Sequence, residues 1–222
     1  MTYRLKLKRI ERATHDTHHL IFDRPEGFAY APGQGVELFL VRAAGWEKEG
    51  RPFTPVSLPD EPDLEFVIKA YTDHDGMTAQ VGKMAAGDEM EMDGPFGALS
   101  DQGPGVFIAG GAGVTPMIAI LRQRLRERGT LKGSTLIFAN KTEADIIWRD
   151  RFEAMTGLKT VFVVDEAGAS VPQQRLDREF LAKFVDADSR CYLCGPPPMM
   201  TAVRKALNEL GVKGEKLIEE EA

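Results

Sequence analysis

The chain has 222 residues, enough for two small domains or one large one, and either can bury a sizeable core. Its 34 acidic against 28 basic side chains leave a formal charge of −6, which argues against the concentrated positive face that generic nucleic-acid binding needs. No apolar run approaches the roughly 20 residues that span a bilayer, and Met1–Lys8 alternates basic with apolar residues where a signal peptide would carry an apolar core, so a soluble cytoplasmic protein is expected.

The first hundred residues read as short strands. Leu5 and Leu7 alternate with Arg4, Lys6 and Lys8; Leu20 and Phe22 follow, then Val36, Leu38 and Leu40, then Leu64, Phe66 and Ile68. Met90 and Met92 alternate with Glu89, Glu91 and Asp93. A period of two, broken by Gly, Pro and Asp, marks half-buried antiparallel strands. With the segment Arg51–Ser57 they make six, which predicts a small closed barrel. One short helix fits this half, around Met77–Met84.

From about residue 105 the rhythm changes. Val106–Ala109, Leu136–Ala139, Val161–Val164 and Cys191–Cys194 are continuous apolar runs, as expected of strands covered on both faces. Helical stretches lie near 116–128, 145–155, 177–186 and 198–210, and Lys216–Ile218 fits a last strand. Strand–helix alternation predicts a parallel α/β sheet. In the first helix Thr115 is the expected N-cap, Pro116 suits the first turn, Met117, Ile118, Leu121 and Leu125 form one stripe, and Gly129 closes it. The boundary falls in Ser100–Gly105, giving domains 1–101 and 102–222.

Four stretches carry chemistry. In Arg51-Pro52-Phe53-Thr54 a guanidinium, an aromatic ring and a hydroxyl stand close together and can clamp a phosphate, stack on a flat ring and donate to a ring nitrogen. The same three residue types also fit an ordinary barrel strand. Asp75-Gly76-Met77-Thr78 opens the short helix, where free amides attract anions, or is a plain turn with a Thr cap. Gly110-Gly111-Ala112-Gly113-Val114-Thr115-Pro116 joins a strand to a helix in the context that receives a pyrophosphate, although it does not match G-x-G-x-x-G. Cys194-Gly195-Pro196-Pro197-Pro198-Met199 follows another buried strand and points a thiol at the crevice where such sheets bind ligands.

Other features are weaker. Two cysteines three apart cannot supply the ligands of a zinc site or an iron–sulfur cluster, and on an extended strand they face opposite sides, so neither a metal nor a disulfide is expected; Cys191 reads as a buried structural residue. His15, His18, His19 and His74 read as surface histidines, and Glu219-Glu220-Glu221 as a solvated tail with one carboxylate free to fold back.

Together, in this order and spacing, the four stretches resemble the ferredoxin–NADP reductase superfamily over nearly the whole chain, nearest its compact bacterial reductases and its cytochrome b5 and nitrate reductase modules. The resemblance implies an FAD-binding barrel followed by an NAD(P)-binding half, with hydride passing from NADH or NADPH to flavin N5 and electrons then leaving to a separate acceptor. By similarity, Arg51 holds the flavin pyrophosphate, Phe53 stacks on the ring, Thr54 hydrogen-bonds it near N5, and Pro52 belongs to the same cofactor-binding stretch. Phe53 stands where the family usually has Tyr, so a hydroxyl is lost. Ile68 and Lys69 meet the ribityl and phosphate region, and Gly76, Met77 and Thr78 the second pyrophosphate turn. Gly110, Gly111, Gly113, Thr115 and Pro116 match the nucleotide turn. Cys194, Gly195, Pro196 and Met199 bracket the nicotinamide, Cys194 orienting the ring beside the hydride path without acting as a nucleophile. The plant-type C-terminal aromatic over the flavin is missing, which leaves that face open, loop-covered or tail-covered.

Donor choice hangs on Phe138–Asp145, a run that resembles the NADH-using reductases, while Lys141 leaves room for NADPH. The acceptor is expected to be a ferredoxin, flavodoxin, cytochrome, oxygenase or small molecule. Two other classes remain open: a flavin- or nucleotide-binding regulatory subunit without turnover, and a non-flavin α/β binding module, which would be colourless.

Overall fold

The structure, a computed structural model, describes residues 2–41, 50–71, 76–97, 99–168 and 170–221. Asp75 and His74 lie outside the described residues.

Six antiparallel strands form the first half: β1 (Tyr3–Arg12), β2 (Thr17–Asp23), β3 (Gly35–Leu40), β4 (Arg51–Phe53), β5 (Asp63–Lys69) and β6 (Glu89–Phe96), in the order β4-β3-β6-β1-β2-β5. The two edges meet: Pro55 bridges Phe66, and the Val56 amide donates to the Glu65 carbonyl at 2.8 Å, closing the sheet into the expected barrel. The alternation read from the sequence is what fills it. Leu5, Leu20, Phe22, Val36, Leu38, Leu64, Phe66, Met90 and Met92 all point inward with no exposure. Strand β4 stops at Phe53, short of the expected Ser57, because Pro52 and Pro55 have no amide hydrogen for a continuous ladder. Helix α1 (Met77–Val81) is also shorter than expected and ends at Gly82.

The second half is a five-stranded parallel sheet of β7 (Val106–Gly110), β8 (Thr135–Asn140), β9 (Lys159–Val164), β10 (Cys191–Gly195) and β11 (Leu217–Glu221), ordered β11-β10-β7-β8-β9. Helices α2 (Thr115–Arg128), α3 (Arg149–Glu153), α4 (Arg178–Leu181) and α5 (Pro197–Glu209) cover it. Helix α4 starts where the Asp177 carboxylate accepts from the Phe180 amide at 2.8 Å. Helix α3 is cut back from the expected 145–155 because Trp148 takes a left-handed backbone, φ 51°. Among the described residues no helix is long and apolar enough to cross a membrane.

Helix α2 departs from the single stripe that its sequence suggests. Thr115 to Leu121 are all buried, because the helix lies between the parallel sheet and the barrel. Val56, Val67 and Leu99 of the first half share one core with Met117, Ile118 and Leu121. Its N-terminus also differs. Residues 111–114 already wind as a 3₁₀ turn, so Thr115 is not an accepting cap; its hydroxyl donates back to the Ala112 carbonyl at 3.0 Å. At the far end Gly129 (φ 70°) closes the helix as its sequence implies. The arginines on α2 tie the halves together. Arg122 donates to the Val56 carbonyl and to Glu61, both at 2.6 Å, and Arg126 to Asp60 at 2.6 Å.

Candidate active site

A cleft of about 1150 Å³ runs between the barrel wall and the C-terminal edge of the parallel sheet. Ligands of open α/β sheets bind at that edge, and the volume exceeds the roughly 300–1,000 Å³ of a single drug-sized site, which leaves room for a large ligand or more than one. The barrel contributes Pro52, Phe53, Thr54, Ile68 and Lys69. The sheet contributes Gly110, Gly111, Gly113, Thr115 and Pro116 from the first turn and Cys194, Pro196 and Met199 from the second. Three of the four chemistry-bearing stretches, joined by Ile68 and Lys69 of β5, thus converge on one space. Arg51, Gly76, Met77, Thr78 and Gly195 do not form its wall. Arg51 is exposed on β4, its guanidinium donating to the Gly50 carbonyl at 3.0 Å. Met77 is packed in the barrel core, and the Thr78 hydroxyl accepts from the Tyr71 amide at 3.4 Å.

The glycine turn is shaped for close approach. A Cβ on Gly113 would meet the backbone of Cys194 and Gly195, so only glycine lets the turn lie against β10. Gly111 has φ 52°, and a Cβ there would meet nothing within 4 Å: it would project into empty space in the cleft. Open space beside a glycine turn of the cleft wall leaves room for a bound dinucleotide.

Cys194 closes the other side. It is 2 % exposed, and burial, helped by the nearby Glu220 carboxylate, pushes its thiol up to about 12. At neutral pH it is a protonated thiol, a weak donor and a soft surface for a ring, and a poor nucleophile. Cys191 lies in the cluster on the opposite face of the sheet, as the spacing predicted, and both cysteines are free.

Several wall residues were not singled out in the sequence. Phe96 and Tyr71, the large apolar side chains that stand exposed among the described residues, both border the cleft. Asn140, at the end of β8, is 5 % exposed, and neither atom of its amide has a hydrogen-bond partner. Arg175, Asp177 and Arg178 line the outer end, where no sequence pattern announced them. The Glu219–Glu221 run corrects an expectation. It is strand β11, not a solvated tail, because it pairs in parallel with β10 and sets Glu220 opposite Cys194. Glu219 accepts from Arg204 at 2.9 Å, while burial raises the Glu220 carboxyl against the lowering influence of the Leu99 amide. Glu220 therefore borders the cleft.

Among the described histidines, His19 differs from its reading as a surface residue, while His15 is exposed as read. His19 is 6 % exposed; its Nε2 lies 2.9 Å from Glu65, and its ring meets Trp148 edge-on at 5.0 Å, a contact between the halves. His15 is exposed beside Asp16 and Asp145, the three being close enough to share a metal. The Lys69 ammonium already contacts both carboxylates, at 2.9 and 3.0 Å, and a cation there would have to displace it.

Comparison with known proteins agrees with this geometry. The family of oxidoreductase FAD-binding domains matches residues 4–100, and that of oxidoreductase NAD-binding domains matches residues 107–205. NADH-cytochrome b5 reductase 2 of Mycosarcoma maydis is 30% identical over 94% of this chain and 66% of its own length. NADH-cytochrome b5 reductase 1 of Pyricularia oryzae is 32% identical over 73% of this chain and 58% of its own length. The chain thus spans under two thirds of either relative. A ferredoxin NADP+ reductase from Neisseria gonorrhoeae, solved with bound FAD and NADP, superimposes with a TM-score of 0.86 at 23% identity, covering 99% of this chain and 98% of that one. The two family matches fall on the two sheets in the order in which the chain builds them, and the chain belongs to the ferredoxin–NADP reductase superfamily, with an FAD-binding barrel and an NAD-binding α/β half.

Proposed function

We propose that this protein is an NAD(P)H-dependent flavin reductase that takes hydride from NADH on to bound FAD and hands electrons to a separate acceptor protein, a cytochrome of the b5 type in the first instance. The observation that carries the reading is the single cleft in which Phe53 and Thr54 of the barrel and Thr115 and Cys194 of the sheet line a common space. When bound, the flavin supplies the redox chemistry. The chain's own residues bind, orient and exclude water. Phe53 offers an apolar face for a flat ring, and Thr54 a hydroxyl beside it. The glycine turn leaves room for a pyrophosphate at the start of α2. Cys194, near the end of β10 just before helix α5 and kept protonated, orients the nicotinamide without attacking it. No side chain need move a proton at the hydride step.

Three features support NADH over NADPH. Asp165 and Asn140 present a carboxylate and an amide to the cleft, groups suited to hydroxyls more than to a phosphate. Lys141, the cation nearest them in sequence, pairs with Glu166 at 3.5 Å.

The test is a visible spectrum of the purified protein, repeated anaerobically after NADH or NADPH. A flavin spectrum bleached much faster by NADH is the expected result. A flavin that neither donor bleaches would point to a regulatory subunit, and a colourless protein that cannot take up FAD would overturn the reading.

A further inference from the structure

The cleft has a pin across its end. Lys69, the last residue of β5, belongs to the barrel. Its ammonium reaches Asp145, in the turn after β8 of the other half, at 3.0 Å, and Asp16, in the β1–β2 turn of its own half, at 2.9 Å. Asp145 is the best fixed of the three, its side chain only 8 % exposed. Its other carboxylate oxygen accepts from the Thr142 amide at 2.9 Å and the Thr142 hydroxyl at 2.6 Å. Those bonds cap the 3₁₀ turn at Glu143–Asp145, so the oxygen facing Lys69 is aimed by the backbone. Asp16 is held likewise by the Thr14 and Thr17 hydroxyls, at 2.9 and 3.1 Å. An ammonium has three donors, and these carboxylates take two, leaving one for the cleft, whose wall includes both Lys69 and Asp145. The ionised forms suit this arrangement. Burial works against charge on all three groups, yet hydrogen bonds from Thr142 and Lys69 to Asp145, and from Lys69, Thr14 and Thr17 to Asp16, hold both carboxyls below their ordinary range, and the two carboxylates hold the ammonium above its own.

We propose that Asp145 is a positioning residue for the hydride-transfer reaction: by holding Lys69 across the boundary between the halves, it fixes the width of the cleft in which the nicotinamide and flavin rings must stack. This rests on the reductase reading. The contacts of Arg122 and Arg126 join the halves independently, so losing the pin loosens the spacing without separating them. Ring-to-ring distance is steep in its effect, since misplacement by about 1 Å costs up to roughly 10²-fold in rate.

The experiment uses the full chain loaded with FAD. Asp145→Asn is the informative change: its amide oxygen can still accept from Thr142 and keep the turn, while its NH2 faces Lys69 and cannot bond it. Asp16→Asn is the control, because it removes a Lys69 carboxylate from within the barrel half and leaves the crossing contact. Four quantities are read: FAD content, melting temperature, and, by anaerobic stopped flow, the bleaching rate at saturating NADH and the NADH concentration that half-saturates it. Asp145→Asn is expected to bind FAD normally and to bleach roughly 10- to 100-fold more slowly at saturation, with half-saturation changed less than threefold. Asp16→Asn is expected to stay within twofold in rate, and Asp145→Asn is expected to add nothing in a Lys69→Met background.

A lowered melting temperature with an unchanged bleaching rate would make the pin merely structural and overturn the proposal. So would an equal loss in Asp16→Asn, which would assign the effect to charge alone, or a further loss in the Lys69→Met background. If Asp145→Asn does not fold, Asp145→Glu decides: a slowed rate at unchanged half-saturation supports the proposal, and a wild-type rate overturns it. If wild-type protein with a full complement of FAD is bleached by neither NADH nor NADPH, the reductase reading itself has failed. That outcome cannot be confused with a defect confined to the variants.

Discussion

Gly113 offers the sharpest test of how the nucleotide turn is built. An alanine Cβ at this position would lie 2.5 Å from the Cys194 carbonyl oxygen, 2.6 Å from its carbon and 2.7 Å from the Gly195 Cα. Ordinary contact begins at 3.4 Å, so one side must move by about 0.9 Å. Neither side is free. β10 is paired on one edge with β7 and on the other with β11, and Gly113 sits immediately before a helix buried over its first two turns. Strain that no rotamer can relieve puts Gly113→Ala at about 2–3 kcal/mol, the upper part of the range for overpacking. For a chain of this size that is a fall in melting temperature of roughly 5–10 °C. Gly111→Ala is the matched control. Its methyl meets nothing, so only the left-handed backbone costs stability, about 1 kcal/mol, while the methyl occupies the open space beside the turn. Thermal unfolding at saturating FAD, with NAD+ titration of each variant, separates the two. Gly113→Ala should lose the more stability, and Gly111→Ala should lose affinity out of proportion to its stability. A Gly113→Ala protein that melts within 1 °C of wild type would refute the contact on which this reasoning rests.

Further outcomes follow from buried polar groups. With the Cys194 and Cys191 thiols pushed up to about 12, on the order of one in 10⁴ is thiolate at pH 8, so iodoacetamide should leave the native protein unmodified by mass and add two groups in urea. Glu65 is held below the ordinary carboxylate range chiefly by the hydrogen bond from His19, against the pull of burial. Its contribution to stability is therefore complete at neutral pH and is lost as pH falls through and below that range, and Glu65→Gln should flatten the acid limb of urea unfolding measured from about pH 5 to pH 3. Arg122→Ala removes two hydrogen bonds between the halves and leaves the Val56 carbonyl and Glu61 without that partner, a loss of about 1–3 kcal/mol by urea unfolding. Tyr30→Phe removes a buried hydroxyl that donates to the Ser57 carbonyl at 2.8 Å and should cost about 1 kcal/mol in the same assay.

The parts of this molecule legible in its sequence are those dictated by neighbours along the chain. Alternation of Leu5 and Leu7 with basic residues, and of Met90 and Met92 with acidic ones, marks the inward faces of the barrel, and the glycines and prolines of 110–116 and 194–199 mark two turns that do line the cleft. Arrangements that depend on distant residues were not legible. The first two turns of helix α2 are buried all round because Val56, Val67 and Leu99 cover the side that its sequence offers to solvent. His19 is buried because Glu65 and Trp148, 46 and 129 positions away, receive it. Three consecutive glutamates look solvated, and only the register with β10 brings Glu220 beside Cys194. Arg51 and the Gly76–Thr78 turn, which their residue types and the resemblance both mark as phosphate contacts, are not part of the cleft wall.

Helix α2 begins at the glycine turn and, about two turns later, grips the chain just beyond Thr54 through Arg122. It is therefore a ruler laid between the two ligand positions. A chimaera that exchanges residues 107–205 for those of another superfamily member replaces the ruler but keeps the old mark at Val56–Glu61. The unit that can be transplanted intact is the nucleotide half together with that short loop of the barrel, a boundary that follows hydrogen bonds and not chain order.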